Sequence, residues 1–522
     1  MELEAKHVLS IIHSSMNTFS KINRLPPEIL ALIPSFLTSY KDLVHMTHVC
    51  RFWRNTITSS SSLWSSLDIH QMHWDLAVTY MDRCGNAPLD VTFCSHPNKN
   101  GPFLEKVLPH SSRIRKIKVP YISWCHIVEI LDGFDAPLPL LREVILDASS
   151  ETEPPTFRQP LLAGAPNLVS LALCDYWMLP GTLHNFVIPT LTHFSLSFRE
   201  SDTTFVDEIL ELLRRLPLIE DLDIRADVRH PHEETPVPDQ LQSVDLPHLR
   251  NLHIRWSKRR RAQYVLLTHI QYPPDCSVLM RVRSLTVTER QHNAFPESWD
   301  DFHLPGLSCV TLRMKREQGL TECAVIVKKP NGASVTISQL CRIEHKEPCR
   351  NQDDNRIFSA AITLIQRLPL RWILKFVLEE FRANEMLKLE SFEIPPALVK
   401  LIRSDMPNLT TLSLTRTCVS ELFNMLTPPS PPPTSIPDLF DSNITPEPDT
   451  PCPTLKVLEM RHPAWIAPQN CREAVALAKA RKYGGVPFEK VFFCSPDVPE
   501  SMALDMSLYV DEIDIRSCSG CE

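Results

Sequence analysis

The chain has 522 residues, 43% of them hydrophobic and 22% charged, with a formal net charge of −8. This composition supports globular folding over most of the length, and its acidic balance excludes a general nucleic-acid binder, whose surface is basic. The longest apolar runs, such as residues 29–37, fall well short of the about 20 residues that cross a bilayer. No nucleic-acid or membrane partner is therefore expected. The chain starts with Glu2 and Glu4 and lacks a basic stretch leading into an apolar run. That predicts no secretion signal and a cytoplasmic or nuclear location.

Residues 1–21 read as a flexible tail, and the first strong helical signal lies in residues 22–69. Leu25-Pro26-Pro27-Glu28 opens a short helix, because a proline in the first turn loses no hydrogen bond. Ile29, Leu30, Ile33 and Leu37 recur at helical spacing, and Pro34 within this run should end or kink the helix. Asp42 is the expected N-cap of a second helical stretch, in which Leu43, Met46, Cys50, Trp53 and Ile57 form one apolar face. Leu63-Trp64 closes the segment. About 45 residues in helices this short cannot bury a self-sufficient core, so the segment either docks a partner or caps a larger domain. Residues 70–109 read as a helical linker into the next region.

Between residues 110 and 517 the pattern Pro-x-apolar-x-x-apolar-x-apolar recurs. It starts at Pro139, Pro166, Pro189, Pro217, Pro247, Pro305, Pro407 and Pro453. Copies without that proline lie at 113–119, 281–287, 390–394, 488–493 and 510–515. Spacings of about 20–33 residues are those of leucine-rich repeats. Alternating apolar residues such as Leu171 and Leu173 build a short strand with one face inward. The proline pushes its predecessor out of helix and so separates a helical segment from the next strand. Amphipathic stretches at 204–216, 362–376 and 474–482 are the expected intervening helices. A strand–helix unit cannot bury its apolar face alone, and stacking solves that. The expected fold class is α/β: a short N-terminal helical module, then an irregular leucine-rich-repeat solenoid with parallel strands on the concave side and helices on the convex side. The alternative is a mixed α/β domain whose strands are not consecutive neighbours.

Residues 427–453 are proline-rich and read as a disordered insertion. Residues 149–160 and 230–239 read as shorter acidic insertions. The basic cluster Lys258-Arg259-Arg260-Arg261 reads as a solvated loop or an import signal, and 518–522 as a tail. The 16 cysteines are expected to be reduced thiols. Cys518 and Cys521 form a CxxC pair without the second pair that a zinc site needs. Asn443-Ile444-Thr445 matches a glycosylation sequon by chance. His45 and His48 share a helix without a third ligand. No nucleophile elbow, phosphate loop, HExxH or dinucleotide fingerprint is present. The chain is therefore read as non-catalytic, with no metal and no cofactor.

LPPE (25–28), VCRFWR (49–54) and LW (63–64), in this order and spacing, resemble the F-box. The continuation is similar to F-box proteins with degenerate leucine-rich repeats that are abundant in mushroom-forming fungi, on the strength of residues 63–69, 74–93, 108–119 and 474–493. The resemblance implies a substrate-recognition subunit of an SCF-type cullin–RING ubiquitin ligase. The F-box would bind a Skp-type adaptor, and the repeats would bind a client protein whose identity the residues do not reveal. A non-ligase F-box scaffold or a repeat-domain interaction module is the alternative. Carried onto this chain, adaptor contact would use Leu25, Pro26, Ile29, Leu30, Leu43, Val49, Cys50 and Trp53, some of which must instead pack the helices together. Strand alternation places His193, Asp223, Arg225, His253, Arg255, Thr286, Thr311 and Arg313 on the face offered to the client. That column mixes acids, bases and hydroxyls without an evident charge code.

Overall fold

A computed structural model describes residues 4–8, 11–12, 15, 20–37, 39–148, 164–177, 188–199, 205–227, 241–257, 260–284, 307–317, 320–329, 331–342, 361–382, 396–415, 420–428, 451–461, 468–494 and 498–516. The chain divides into two units, Met1–Asp221 and Leu222–Glu522. Both are mixed α/β, with mostly parallel sheet.

The first unit opens with three short helices: α1 (Pro27–Ser35), α2 (Tyr40–Met46) and α3 (Arg51–Ser59). Pro27 starts α1 and Pro34 lies near its end, so the helix stops one residue later. Two local expectations change. The side chain of Ser39, not Asp42, caps α2 by accepting the Lys41 amide. The second helical stretch is broken, because Cys50 is extended and begins α3. Leu43 and Trp53 therefore sit on separate helices.

Six strands follow: β1 (Ser66–Asp68), β2 (Leu89–Thr92), β3 (Ile114–Ile122), β4 (Glu143–Ala148), β5 (Ser170–Trp177) and β6 (His193–Arg199). Each lies parallel to the next in chain order. Helices α4 (Trp74–Arg83), α5 (Pro97–Val107) and α6 (Trp124–Asp132) occupy the crossovers, and α7 (Phe205–Arg214) follows β6. The sheet therefore begins earlier than the repeat pattern, since β2 lies inside the stretch read as a helical linker.

The recurring proline has a definite job. In seven copies it occupies the second position of a β-turn whose fourth-residue amide donates to the first-residue carbonyl at 3.0–3.3 Å, as from Leu141 to Leu138, Leu191 to Ile188 and Leu455 to Cys452. Proline presets φ for that position. Successive turns are also laced together by their third residues. Asn167 donates to the Pro139 carbonyl, Thr190 to the Leu168 carbonyl and Thr454 to the Pro407 carbonyl.

In the second unit, β7 (Asp221–Asp227), β9 (Asn251–Ser257) and β11 (Ser277–Ser284) continue this scheme. Between them, β8 (Val244–Asp245) and β10 (Ile270–Gln271) form a separate parallel pair, with α8 (Arg260–His269) leading into β10. An antiparallel meander then interrupts the order: β12 (Cys309–Glu317), β13 (Leu320–Lys328) and β14 (Ser334–Arg342). β14 docks on β11, and β12 accepts β15 (Lys375–Arg382), so the spatial order is β9-β11-β14-β13-β12-β15. β16 (Thr411–Thr415), β17 (Val457–Arg461), β18 (Lys490–Cys494) and β19 (Glu512–Ile515) then follow in parallel. Helices α9 (Pro396–Lys400), α10 (Ser420–Leu426), α11 (Pro468–Tyr483) and α12 (Glu500–Ser507) alternate with these strands.

The meander corrects the sequence reading, which left residues 315–388 without strands. Pro330-Asn331-Gly332 is a hairpin signal; Gly332 has φ +90° and Asn331 accepts the Ala333 amide. The helix expected at 362–376 stops at 366, and Pro369 precedes a short 3-10 turn that leads into β15. A proline there removes the donor that would continue the helix. The copy placed at 281–287 is displaced. Its strand starts at Ser277, after a turn in which the Cys276 amide donates to the Pro273 carbonyl. The strand expected at 390–394, the acidic insertions, the sequon, the CxxC pair, Lys258 and Arg259, and most of the proline-rich insertion lie outside the described residues. Cys494 is disulfide-bonded, contrary to the expectation that all thiols are reduced.

Candidate functional site

The helical segment sorts the residues expected at the adaptor into three groups. Leu30, Leu43 and Trp53 are buried and join α1, α2 and α3; the Trp53 indole also donates to Asn23 Oδ1 at 2.7 Å. These three are structural. Leu25 and Cys50 are half-buried. Pro26, Ile29 and Val49 remain exposed.

Around those exposed residues lies a larger apolar surface. Ile22, Leu32, Phe36, Leu37 and Phe52 are all exposed, Phe36 at 84%. Ile29, Leu32 and Phe36 follow i, i+3, i+7 spacing, so they share one side of α1, opposite the buried Leu30. The sequence reading missed Leu32, Phe36 and Phe52. The signal was available: the α1 run carries more apolar residues than one buried stripe uses. Large apolar side chains concentrated on a small helical segment mark an interaction surface.

The second candidate surface is the accessible strand face of each unit. Along β4, Val144, Leu146 and Ala148 are buried while Glu143, Ile145 and Asp147 are not. The same alternation holds in β6, β7 and β9, where His193, Asp223, Arg225, His253 and Arg255 fall on the accessible phase. In the first unit this face carries a bidentate Arg115–Asp90 pair, a Lys116–Glu143 pair at 2.8 Å and His193 Nε2 at 2.9 Å from Asp221. In the second unit Arg313 is half-exposed on β12 and pairs with Glu379. Thr311 shares that phase but is only 5% exposed, between Ile326 and Val377 on the neighbouring strands. Thr311 therefore offers little surface of its own. Thr286 lies outside the described residues.

Ion pairing on this face reaches across strands. Lys375 Nζ bonds both oxygens of Glu459 at 2.8 Å, over Ser413, and Arg461 adds a second cation. Burial would push the Glu459 carboxyl up, but the bonds from Lys375, Arg461 and Ser413 outweigh it and hold the carboxyl below its ordinary value. A lowered native value means that this stabilisation is full above the unfolded carboxyl value and is lost as pH falls through the native one. Glu459→Gln should therefore flatten the acid limb of a plot of melting temperature against pH. Parallel curves for the two proteins would contradict this.

Among the described residues no group of three or more His, Cys, Asp or Glu side chains is placed to hold a metal ion. No helix among them is long and apolar enough to cross a membrane.

Residues 22–70 match the model of the F-box-like family. No curated protein matches the chain. The N-terminal helices are thus an F-box-like domain. Such domains suggest a substrate-adaptor role in SCF-type ligases, generally bind Skp-type adaptors and typically belong to non-catalytic proteins.

Proposed function

We propose that this protein is a substrate-recognition subunit of an SCF-type cullin–RING ubiquitin ligase. The observation that carries the reading is the unpartnered apolar side of the F-box-like domain: Ile29, Leu32, Phe36, Val49 and Phe52 are exposed while Leu30, Leu43 and Trp53 hold the helices together. Burying one such side chain contributes about 1.5–3 kcal/mol, so a few suffice for docking a Skp-type adaptor. The consecutive parallel strands, alternating helices and laced proline turns support an irregular leucine-rich-repeat solenoid, interrupted by the β12–β14 meander. The open strand face of each unit, with His193 in the first and Asp223, Arg225, His253, Arg255 and Arg313 in the second, is offered to a client. The ligation chemistry belongs to other subunits, and the site of action is cytoplasmic or nuclear.

Adaptor capture by the full chain tests this. Phe36→Asp and Val49→Asp introduce charge at exposed positions. They should leave the melting temperature within about 1 °C, because exposed substitutions change stability little. Each should weaken capture at least about tenfold, because the charge would be desolvated in the complex. Failure of the folded native chain to capture the adaptor would leave a protein-interaction module without a ligase role.

A further inference from the structure

The accessible sheet face of the second unit has a vertical order that its residue list does not show. From Asp223 to Glu459 its ion-paired carboxylates lie deep, with side chains 17% exposed at Asp223, Glu322 and Glu379 and 15% at Glu459, whereas at the β19 end Glu512 is 62% exposed. Its cations lie above them, with Arg225, Arg281, Arg313 and Arg461 at 37–45%. Around Arg225, Arg281 and Arg313 solvent therefore meets guanidinium groups first, on a chain whose net charge is −8.

The order is tightest around Arg255. Arg255 and Arg281 stand directly opposite one another on β9 and β11, an arrangement that like charges make unfavourable. Arg281 is satisfied, by Glu322 at 2.8 Å and Ser338 Oγ at 3.3 Å. Arg225 takes the Asp223 Oδ2 oxygen through both Nε and Nη2. Arg255 reaches that same oxygen only at 3.7 Å. Its buried Nε has no hydrogen-bond partner, and neither has Asp223 Oδ1. Three arginines thus crowd two carboxylates, with a donor of Arg255 left over. Burial lowers the Arg255 pKa; the pull of Asp223 opposes this, and the smaller repulsions of Arg225 and Arg281 add to it. The like-charge opposition and the unpartnered Nε are what an incoming anion relieves. Further along the same row, beyond the small Ser338 and Ala324, stands Arg313. The cations are therefore spread over several strands, about 4.8 Å apart per strand, which suits a run of anionic groups better than one isolated anion.

We propose that this face, centred on Arg255 with Arg225, Arg281 and Arg313, binds an acidic peptide segment, an extended run of aspartate or glutamate side chains. The proposal rests on the reading of the open sheet face as the client surface and supplies the chemistry of the client. It does not depend on adaptor docking.

The test is fluorescence polarisation of the full chain with a labelled peptide that alternates glutamate and serine. Twins carry glutamine or phosphoserine in place of glutamate. The glutamate peptide should bind, and weaken steeply with salt because surface charge attraction is screened. Arg255→Gln should weaken it at least about tenfold, as loss of a half-buried charge partner does. Asp223→Asn should tighten it, since it removes the carboxylate that competes for Arg225 and Arg255. A structural role alone would move both variants in the same direction. Lys456→Gln, at an exposed cation paired with Glu489 on the opposite strand phase, should change nothing. Equal binding of the glutamate and glutamine peptides, no effect of Arg255→Gln, weaker binding by Asp223→Asn, or binding of the phosphoserine twin alone would each overturn the proposal. Arg255→Gln should still capture the adaptor, so failure here and failure of the ligase reading are separate results.

Discussion

Trp64→Ala is expected to destabilise the first unit by about 3–5 kcal/mol, the range for deleting a fully buried large aromatic. Trp64 is completely buried and sits where the F-box-like domain meets the sheet. Its indole donates to the Ile57 carbonyl, the last turn of α3, at 2.8 Å. Its ring meets Tyr80 of α4 edge-on at 4.7 Å, and the Arg83 guanidinium lies 4.5 Å from its centroid. The substitution therefore removes packing, an aromatic pair and the partner of a buried carbonyl together. Urea denaturation should show a lower midpoint, and adaptor capture should fall with it because α3 loses its anchor. A loss under about 1 kcal/mol would mean that the helices stand independently of β1 and α4.

Arg481→Met is expected to have a comparable effect in the second unit, although it exchanges a charge for an apolar side chain of similar length. Arg481 is completely buried near the end of α11. Its guanidinium donates to the carbonyls of Pro451, Cys452 and Leu455 at 3.0–3.1 Å and lies 4.8 Å from the centroid of Phe488. Burial pushes its pKa down to about 10, so it stays charged at neutral pH. Cys452 is held at φ +47°, a conformation rare for a side-chain-bearing residue. Three residues beyond Arg481, Gly484 packs so closely on Pro428 that an added Cβ would lie 3.0 Å from its ring. The end of α11 thus grips the chain on both sides of residues 429–450. Methionine would remove the Arg481 donors from the Pro451 and Leu455 carbonyls and leave the Cys452 carbonyl with the Leu455 amide alone, at about 1–3 kcal/mol for each unmet group before relaxation. A net loss of about 3–5 kcal/mol is expected by thermal or urea denaturation, and Arg481→Lys should recover part of it through its own donors. A loss within about 1 kcal/mol for Arg481→Met would show that the carbonyls find other partners.

Arg481 shows how local signals fall short. In the sequence it is one basic residue in an amphipathic stretch at 474–482, which the structure extends to Pro468–Tyr483. Nothing nearby in sequence marks it as buried, because its three acceptors lie 26 to 30 residues earlier. The meander was missed for a related reason. A search for a proline-led parallel strand passes over β13, which runs antiparallel between two tight connections. The low exposure of Thr311 was not legible either, because strand phase reports which face a residue is on and not how long its neighbours are.

The sequence by itself determined the elements whose physics is local. It identified the F-box-like segment at 22–69, nearly coincident with the family match at 22–70, and most strands that follow an apolar–Pro–x–apolar turn. Period-two alternation and a proline-set φ need no distant partner. Only the tertiary structure decided what depends on residues far apart in the chain. It separated Leu30, Leu43 and Trp53, which hold the helices, from Ile29, Phe36 and Val49, which face outward, because burial is a property of the packed set of helices. Around Arg225, Arg281 and Arg313 it also turned a column of mixed charge into carboxylates below and arginines above, because shorter acidic side chains stay near the sheet there while longer arginines reach solvent.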